Sequence, residues 1–172
     1  KPTLRAFSPQ GKLPGILAYS ILRAILSDSQ RQFFMRTSLL LGLLALPATA
    51  TDLVFDAFES DGFGEWAVEG QAFGKAPTAV TPEGVNGRIT NFSGQYFVSS
   101  AHGGDKPTGT LTSPNFKISQ PFLGFKIAGG NHKGKTAVQL VIGDQVIFEA
   151  TGQNSLEMQK VIWPLKQHQN KQ

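Results

Sequence analysis

From Leu53 to Trp163 the chain is written in short apolar runs, with punctuation between them about every 8 to 14 residues. The runs are "LVFDAF" (53–58), "WAVEG" (66–70), "GRITNF" (87–92), "QYFVSS" (95–100), "TGTLTS" (108–113) and "NFKIS" (115–119). "FLGFKIA" (122–128), "TAVQLVI" (136–142), "QVIFEAT" (145–151) and "MQKVIW" (158–163) complete the set. Gly, Pro, Asn or Asp separates them, and no segment sustains the apolar spacing of a helix. Many short strands with regular turns predict an all-β fold, a β-sandwich or jelly roll. Pro114 and Pro121 bracket "NFKIS", which predicts an edge strand or a corner where the chain changes sheets.

One stretch argues at first for a different class. "GGNHKGKT", Gly129–Thr136, matches the phosphate-binding pattern G-x-x-x-x-G-K-[ST]. That loop works between a strand and a helix, whose N-terminal amides and dipole face the phosphates. Here the loop is followed by "TAVQLVIGDQVIFEAT", in which two alternating runs flank Gly143-Asp144. This reads as a β-hairpin. A loop between two strands offers no helix dipole, so no nucleotide is expected, and Lys133 and Lys135 read as solvated.

Charge divides the chain. Before Thr51 stand Lys1, Arg5, Lys12, Arg23, Arg31 and Arg36 against Asp28 alone. From Thr51 onward 10 Lys and Arg face 11 Asp and Glu. The basic balance belongs to the front of the chain, and the remainder gives no electrostatic reason to expect nucleic acid. There is no Cys, hence no disulfide framework and no thiolate metal site. "MRTSLLLGLLALPATA" (35–50) has a basic start, an apolar core from Leu39 to Leu46, the breaker Pro47 and a small-x-small end. This is the pattern of a bacterial-type signal peptide, here a helix cleaved after Ala50, and it predicts a secreted or periplasmic protein. Its apolar core falls far short of the ~20 residues needed to span a bilayer, so the mature form has no membrane span. Residues 1–34 precede this leader and read as an upstream segment outside the fold, leaving 51–172 as the β module. The closing "VIWPLKQHQNKQ" has no further strand, and the expectation is a sandwich truncated at its C-terminal side.

Candidate ligand-binding residues lie on Gly-rich loops. His102 and Asp105 sit in "SSAHGGDKPTG", and Asn131 and His132 in the phosphate-loop lookalike. A sugar takes a flat apolar platform with polar groups beside it. Phe63, Trp66, Tyr96 and Trp163 are the candidate platforms, Trp66 foremost, with core burial as their competing role. Asp56, Glu59 and Asp61 in "FDAFESDGFGEW" could supply oxygen ligands to a structural Ca²⁺, although their order is not that of an EF-hand. No catalytic set is recognisable, since no nucleophile elbow accompanies His102 and Asp105.

Three blocks carry a resemblance: "FESDGFGEWAVEGQAFGKAP", "GTLTSPNFKI" and "IAGGNHKGKTAVQLVIGDQVIFEATGQN", followed by Trp163. In this order they resemble the β-sandwich at the front of secreted glycoside hydrolase family 32 proteins, the levanase and invertase-like β-fructosidases. The resemblance covers about residues 53–165. It implies a galactose-binding-like jelly roll, a non-catalytic accessory role, and a catalytic domain downstream in the same polypeptide, with a glycan as the ligand to look for. Enzymes of that family place their acids in Asn-Asp-Pro-Asn, Arg-Asp-Pro and Glu-Cys segments, and none of these occurs here. A purely structural secreted sandwich without a ligand is the alternative.

Overall fold

The computed structural model describes residues 1–8, 17–25 and 53–170. Among them are ten strands and one short 3-10 turn, Lys166–His168. The strands are β1 (Pro2–Ser8), β2 (Leu17–Ile25), β3 (Leu53–Asp56), β4 (Ala67–Gly70) and β5 (Val98–Ser99). β6 (Gly109–Thr112), β7 (Phe122–Gly129), β8 (Ala137–Ile142), β9 (Gln145–Ala150) and β10 (Ser155–Pro164) follow. One sheet runs β4-β6-β1-β8-β9, the other β10-β7-β2-β3, with β5 also on β2. Their strand pairs are antiparallel. The fold is the all-β sandwich that the alternation predicts.

Period-two side chains explain how the sheets meet. On β7, Leu123, Phe125 and Ile127 are buried and belong to the main core. They face Leu4 and Ala6 of β1, Leu111 of β6, and Val138 and Leu140 of β8 within one apolar cluster. Trp163 of β10 closes that core. Its ring stacks on Phe148 of the opposite sheet at 5.6 Å and 15°, and meets Phe125 edge-on at 4.8 Å. The other face of β7 is covered as well. Ala128 and Met158 pack with Ile89, Phe97 and Ala101 in a second cluster. The last three residues come from the long excursion between β4 and β6.

The structure departs from the sequence reading at the front of the chain. Residues 1–34 were expected outside the fold, yet β1 lies in the middle of one sheet and β2 in the middle of the other. β1 alternates, with Leu4 and Ala6 each 1% exposed and Arg5 between them exposed. The Leu4 amide donates to the Ser113 hydroxyl at 2.9 Å, and the Ser113 amide returns a bond to the Leu4 carbonyl at 2.8 Å. Pairing to β6 and β8 therefore builds this segment into the sheet. The leader-like stretch 35–50 and its expected helix lie outside the described residues.

Two predicted strands are also corrected. "NFKIS" (115–119) makes no ladder. Ile118 is buried, but the backbone bonds there are single, from the Phe116 amide to the Pro2 carbonyl and from the Asn170 amide to the Ile118 carbonyl. The segment does what the flanking prolines allow, carrying the chain from β6 in one sheet to β7 in the other. "GRITNF" (87–92) likewise has only an isolated bridge, Thr90 to Glu157, and "QYFVSS" (95–100) contributes the two-residue β5 and a bridge at Phe97. The predicted hairpin is present. Ile142 pairs with Gln145 across Gly143-Asp144, and Gly143 takes the positive φ of 62° that the turn demands.

Candidate functional site

The residues proposed from sequence fall in separate places. Asp56 ends β3 and is half-buried. Its Oδ1 accepts the Phe58 amide at 2.8 Å and its Oδ2 accepts the Trp66 indole N–H at 2.7 Å. This bond holds Phe58 in a left-handed conformation, φ 56°. Glu59 accepts the amides of Gln95 (2.9 and 3.1 Å) and Tyr96 (3.4 Å), tying the segment just ahead of β5 to the β3–β4 loop. Asp61 is exposed. The first two carboxylates are thus engaged by protein donors, and among the described residues no three acidic or histidine side chains gather around a metal position.

Trp66 is 8% exposed and packs at 5.1 Å from Phe58 and 6.1 Å from Phe55. Its polar edge is satisfied by Asp56, so the ring serves the core and offers no face to a sugar. Asn131 is built into a small network at one end of the sandwich. Its amide donates to Asn154 Oδ1 at 2.9 Å and its Oδ1 accepts the Thr151 hydroxyl at 2.6 Å. The His132 carbonyl accepts the amides of Lys135 (2.9 Å) and Thr136 (2.8 Å), closing the loop between β7 and β8. The Gly134 amide in that loop donates to Glu149 Oε1 at 3.1 Å. The phosphate-loop lookalike is therefore strand, tight loop, strand, and a carboxylate holds one of its amides.

His102 leads to a different place. Its amide donates to the Ala72 carbonyl at 3.0 Å, which sets the ring against Gly74. A Cβ at Gly74 would lie 2.9 Å from the ring's Cγ and Nδ1, so the imidazole position depends on this glycine. The ring borders a surface groove of about 670 Å³. Phe73, Val80, Pro82 and Glu83 line it with His102, whereas Asp105, Asn131 and His132 do not. The groove is cut into the irregular excursion from Gln71 to Thr108 that joins β4 to β6. Apart from the two-residue β5 and isolated bridges at Thr78, Thr90 and Phe97, the excursion has no regular structure. Connections longer than about 12–15 residues without structure of their own are uncommon in compact domains, being usually functional loops or linkers. Its size also falls within the range of small-molecule sites, roughly 300–1,000 Å³. No motif announces Phe73, Val80, Pro82 or Glu83. The available signal was the Gly- and Pro-rich length of the excursion itself.

No protein-family model and no solved structure matches the chain. Among curated proteins, one from Aspergillus rugulosus named "Putative glycosyl hydrolase ecdE" is 30% identical over 114 residues. The match takes in 64% of this chain and 16% of that protein. The chain therefore spans a minor part of the relative it matches, and through that part it is related to a glycosidase-type protein.

Proposed function

We propose that the chain is a non-catalytic accessory β-sandwich of a secreted carbohydrate-active enzyme, resembling the module ahead of a family 32 β-fructosidase. The observation that carries this reading is the match itself. Most of the chain aligns with a small part of a much larger glycosyl hydrolase, as an appended module would. Asp56, Glu59, Glu69 and Glu149 each hold a protein donor. The acidic segments with which family 32 enzymes hydrolyse glycosides, Asn-Asp-Pro-Asn, Arg-Asp-Pro and Glu-Cys, do not occur in this sequence, which supports an accessory role. Catalysis then belongs to a domain further along the same polypeptide.

Sequencing the coding region past Gln172 tests the proposal. A following five-bladed propeller with the acidic motifs of a β-fructosidase is the expected result. An immediate stop codon overturns it. In the joined protein, fructan hydrolysis should persist when residues 53–165 are replaced by an unrelated domain, although at reduced efficiency. Complete loss of turnover, with the catalytic domain still folded, would place essential chemistry in the sandwich.

A further inference from the structure

We propose that the groove beside His102 is a binding site for a neutral sugar ring, with Glu83 and His102 as its hydrogen-bonding groups. The proposal rests on the accessory-module reading and adds the site and the ligand class.

The polar groups of the groove sort into two kinds. Thr78 and Ser99 are internally engaged: the Thr78 hydroxyl donates to the Val80 carbonyl at 2.9 Å and accepts the Val80 amide at 3.2 Å, and Ser99 Oγ accepts the Ala101 amide at 3.2 Å. The Glu83 carboxylate and the His102 imidazole have no hydrogen-bond or ion-pair partner among the described residues. Both are exposed at the rim, on loops that touch, since a Cβ at Gly84 would lie 3.8 Å from the Gly104 Cα. Apolar side chains line the groove as well. Phe73 forms a floor at 2% exposure, while Val80 stands 69% exposed beside Pro82. A valine so exposed at the edge of a groove leaves apolar area in water that a ligand's C–H face can cover.

Charge chooses the ligand class. Neither Lys nor Arg lines the groove, and its one formal charge is a carboxylate. A phosphate or an acidic sugar would meet that carboxylate with no Lys or Arg among the lining residues to offset it. A neutral sugar instead donates hydroxyl protons to Glu83, exchanges a hydrogen bond with His102, and lays its C–H face on Val80 and Pro82. The groove lies open at the surface, so affinity should be weak, with Kd on the order of 100 μM to 1 mM.

The test is amide NMR titration of the whole 172-residue chain with sucrose, cellobiose and digalacturonic acid. Neutral disaccharides should shift the amides of Glu83, Gly84, His102, Gly103 and Gly104, and the acidic one should bind at least about tenfold more weakly. Glu83→Gln and His102→Ala change exposed side chains and should leave the spectrum folded. Each should weaken neutral-sugar binding about fivefold or more, and Glu83→Gln should narrow the gap to digalacturonic acid. Absence of shifts with every sugar at tens of millimolar overturns the site. So does binding that both variants leave unchanged, or that moves only amides elsewhere. If no sugar binds but the downstream region encodes a glycosidase, the groove assignment falls and the accessory reading stands. If the downstream region encodes none, that reading falls whatever the groove does.

Discussion

Asp56 and Glu59 lie three positions apart and both bind backbone amides, yet their surroundings set different energetic weights. Asp56 is half-buried, and removing its carboxylate strands the Trp66 indole N–H against the core and frees Phe58 from the bond that holds its left-handed backbone. An unsatisfied buried donor costs about 1–3 kcal/mol. Asp56→Ala should therefore destabilise by about 2–3 kcal/mol, measured by urea unfolding. Asp56→Asn keeps one acceptor oxygen and should cost less. Glu59 is exposed, and water can replace it at Gln95 and Tyr96, so Glu59→Ala should stay within roughly 0.5 kcal/mol. Equal losses for the two alanine variants would mean that burial does not separate them. The same contrast explains what sequence could see. The acid-rich "FDAFESDGFGEW" reads equally well as metal ligands or turn acids. Only the positions of the Trp66 and Phe58 N–H groups decide between these, and they depend on tertiary packing.

At the scale of elements, alternation located strands but reported their burial and pairing only in part. β3, β4 and β6 to β10 stand where the period-two runs placed them, because each such run has a neighbouring strand to accept its ladder. "NFKIS" alternates equally well and buries Ile118, but its course between two sheets leaves it no ladder partner. Ile89 and Phe97 likewise fill the second cluster from irregular backbone. The groove is the least legible feature, since most of its backbone follows no period, and of its lining residues His102 is the one that the Gly-rich stretch marks in sequence. β1 carries Leu4 and Ala6 at period two, but seven residues ahead of a leader-like stretch give no sign in sequence of the sheet that receives them. The Phe148–Trp163 stack spans both sheets, and with Phe125 edge-on it fills one end of the main core. Trp163→Ala should cost about 3–5 kcal/mol, a large share of the ~5–15 kcal/mol that holds a domain folded. A shift in the urea midpoint with an unchanged slope is expected. A loss below ~1 kcal/mol would show that Phe125 and Phe148 repack into the space.

For the whole molecule, the export proposal and the sandwich constrain one another. The leader-like residues 35–50 fall between β2 and β3 in the chain, so cleavage after Ala50 would detach both central strands from the rest. A chain expressed from Met35 and recovered outside the cell should begin at Thr51, as N-terminal sequencing would read. It would then lack the partners of β6 and β8 in one sheet and of β7 and β3 in the other. Unpaired strands expose backbone donors and acceptors and invite association. The burial of Leu4 alone is worth roughly 1.5–3 kcal/mol. The 51–172 chain should therefore melt well below the intact chain and should bind a synthetic peptide of residues 1–25. A peptide that binds only the folded state stabilises it by about 2.7 kcal/mol at 100 times its Kd. For a domain of this size that is a rise in Tm on the order of 10 °C. A peptide with Leu4→Asp and Ala6→Asp should give no rise, because both positions lie in the main core. If 51–172 alone melts cooperatively at the temperature of the intact chain and ignores the peptide, β1 and β2 contribute nothing to its stability. The sheets would then close without them.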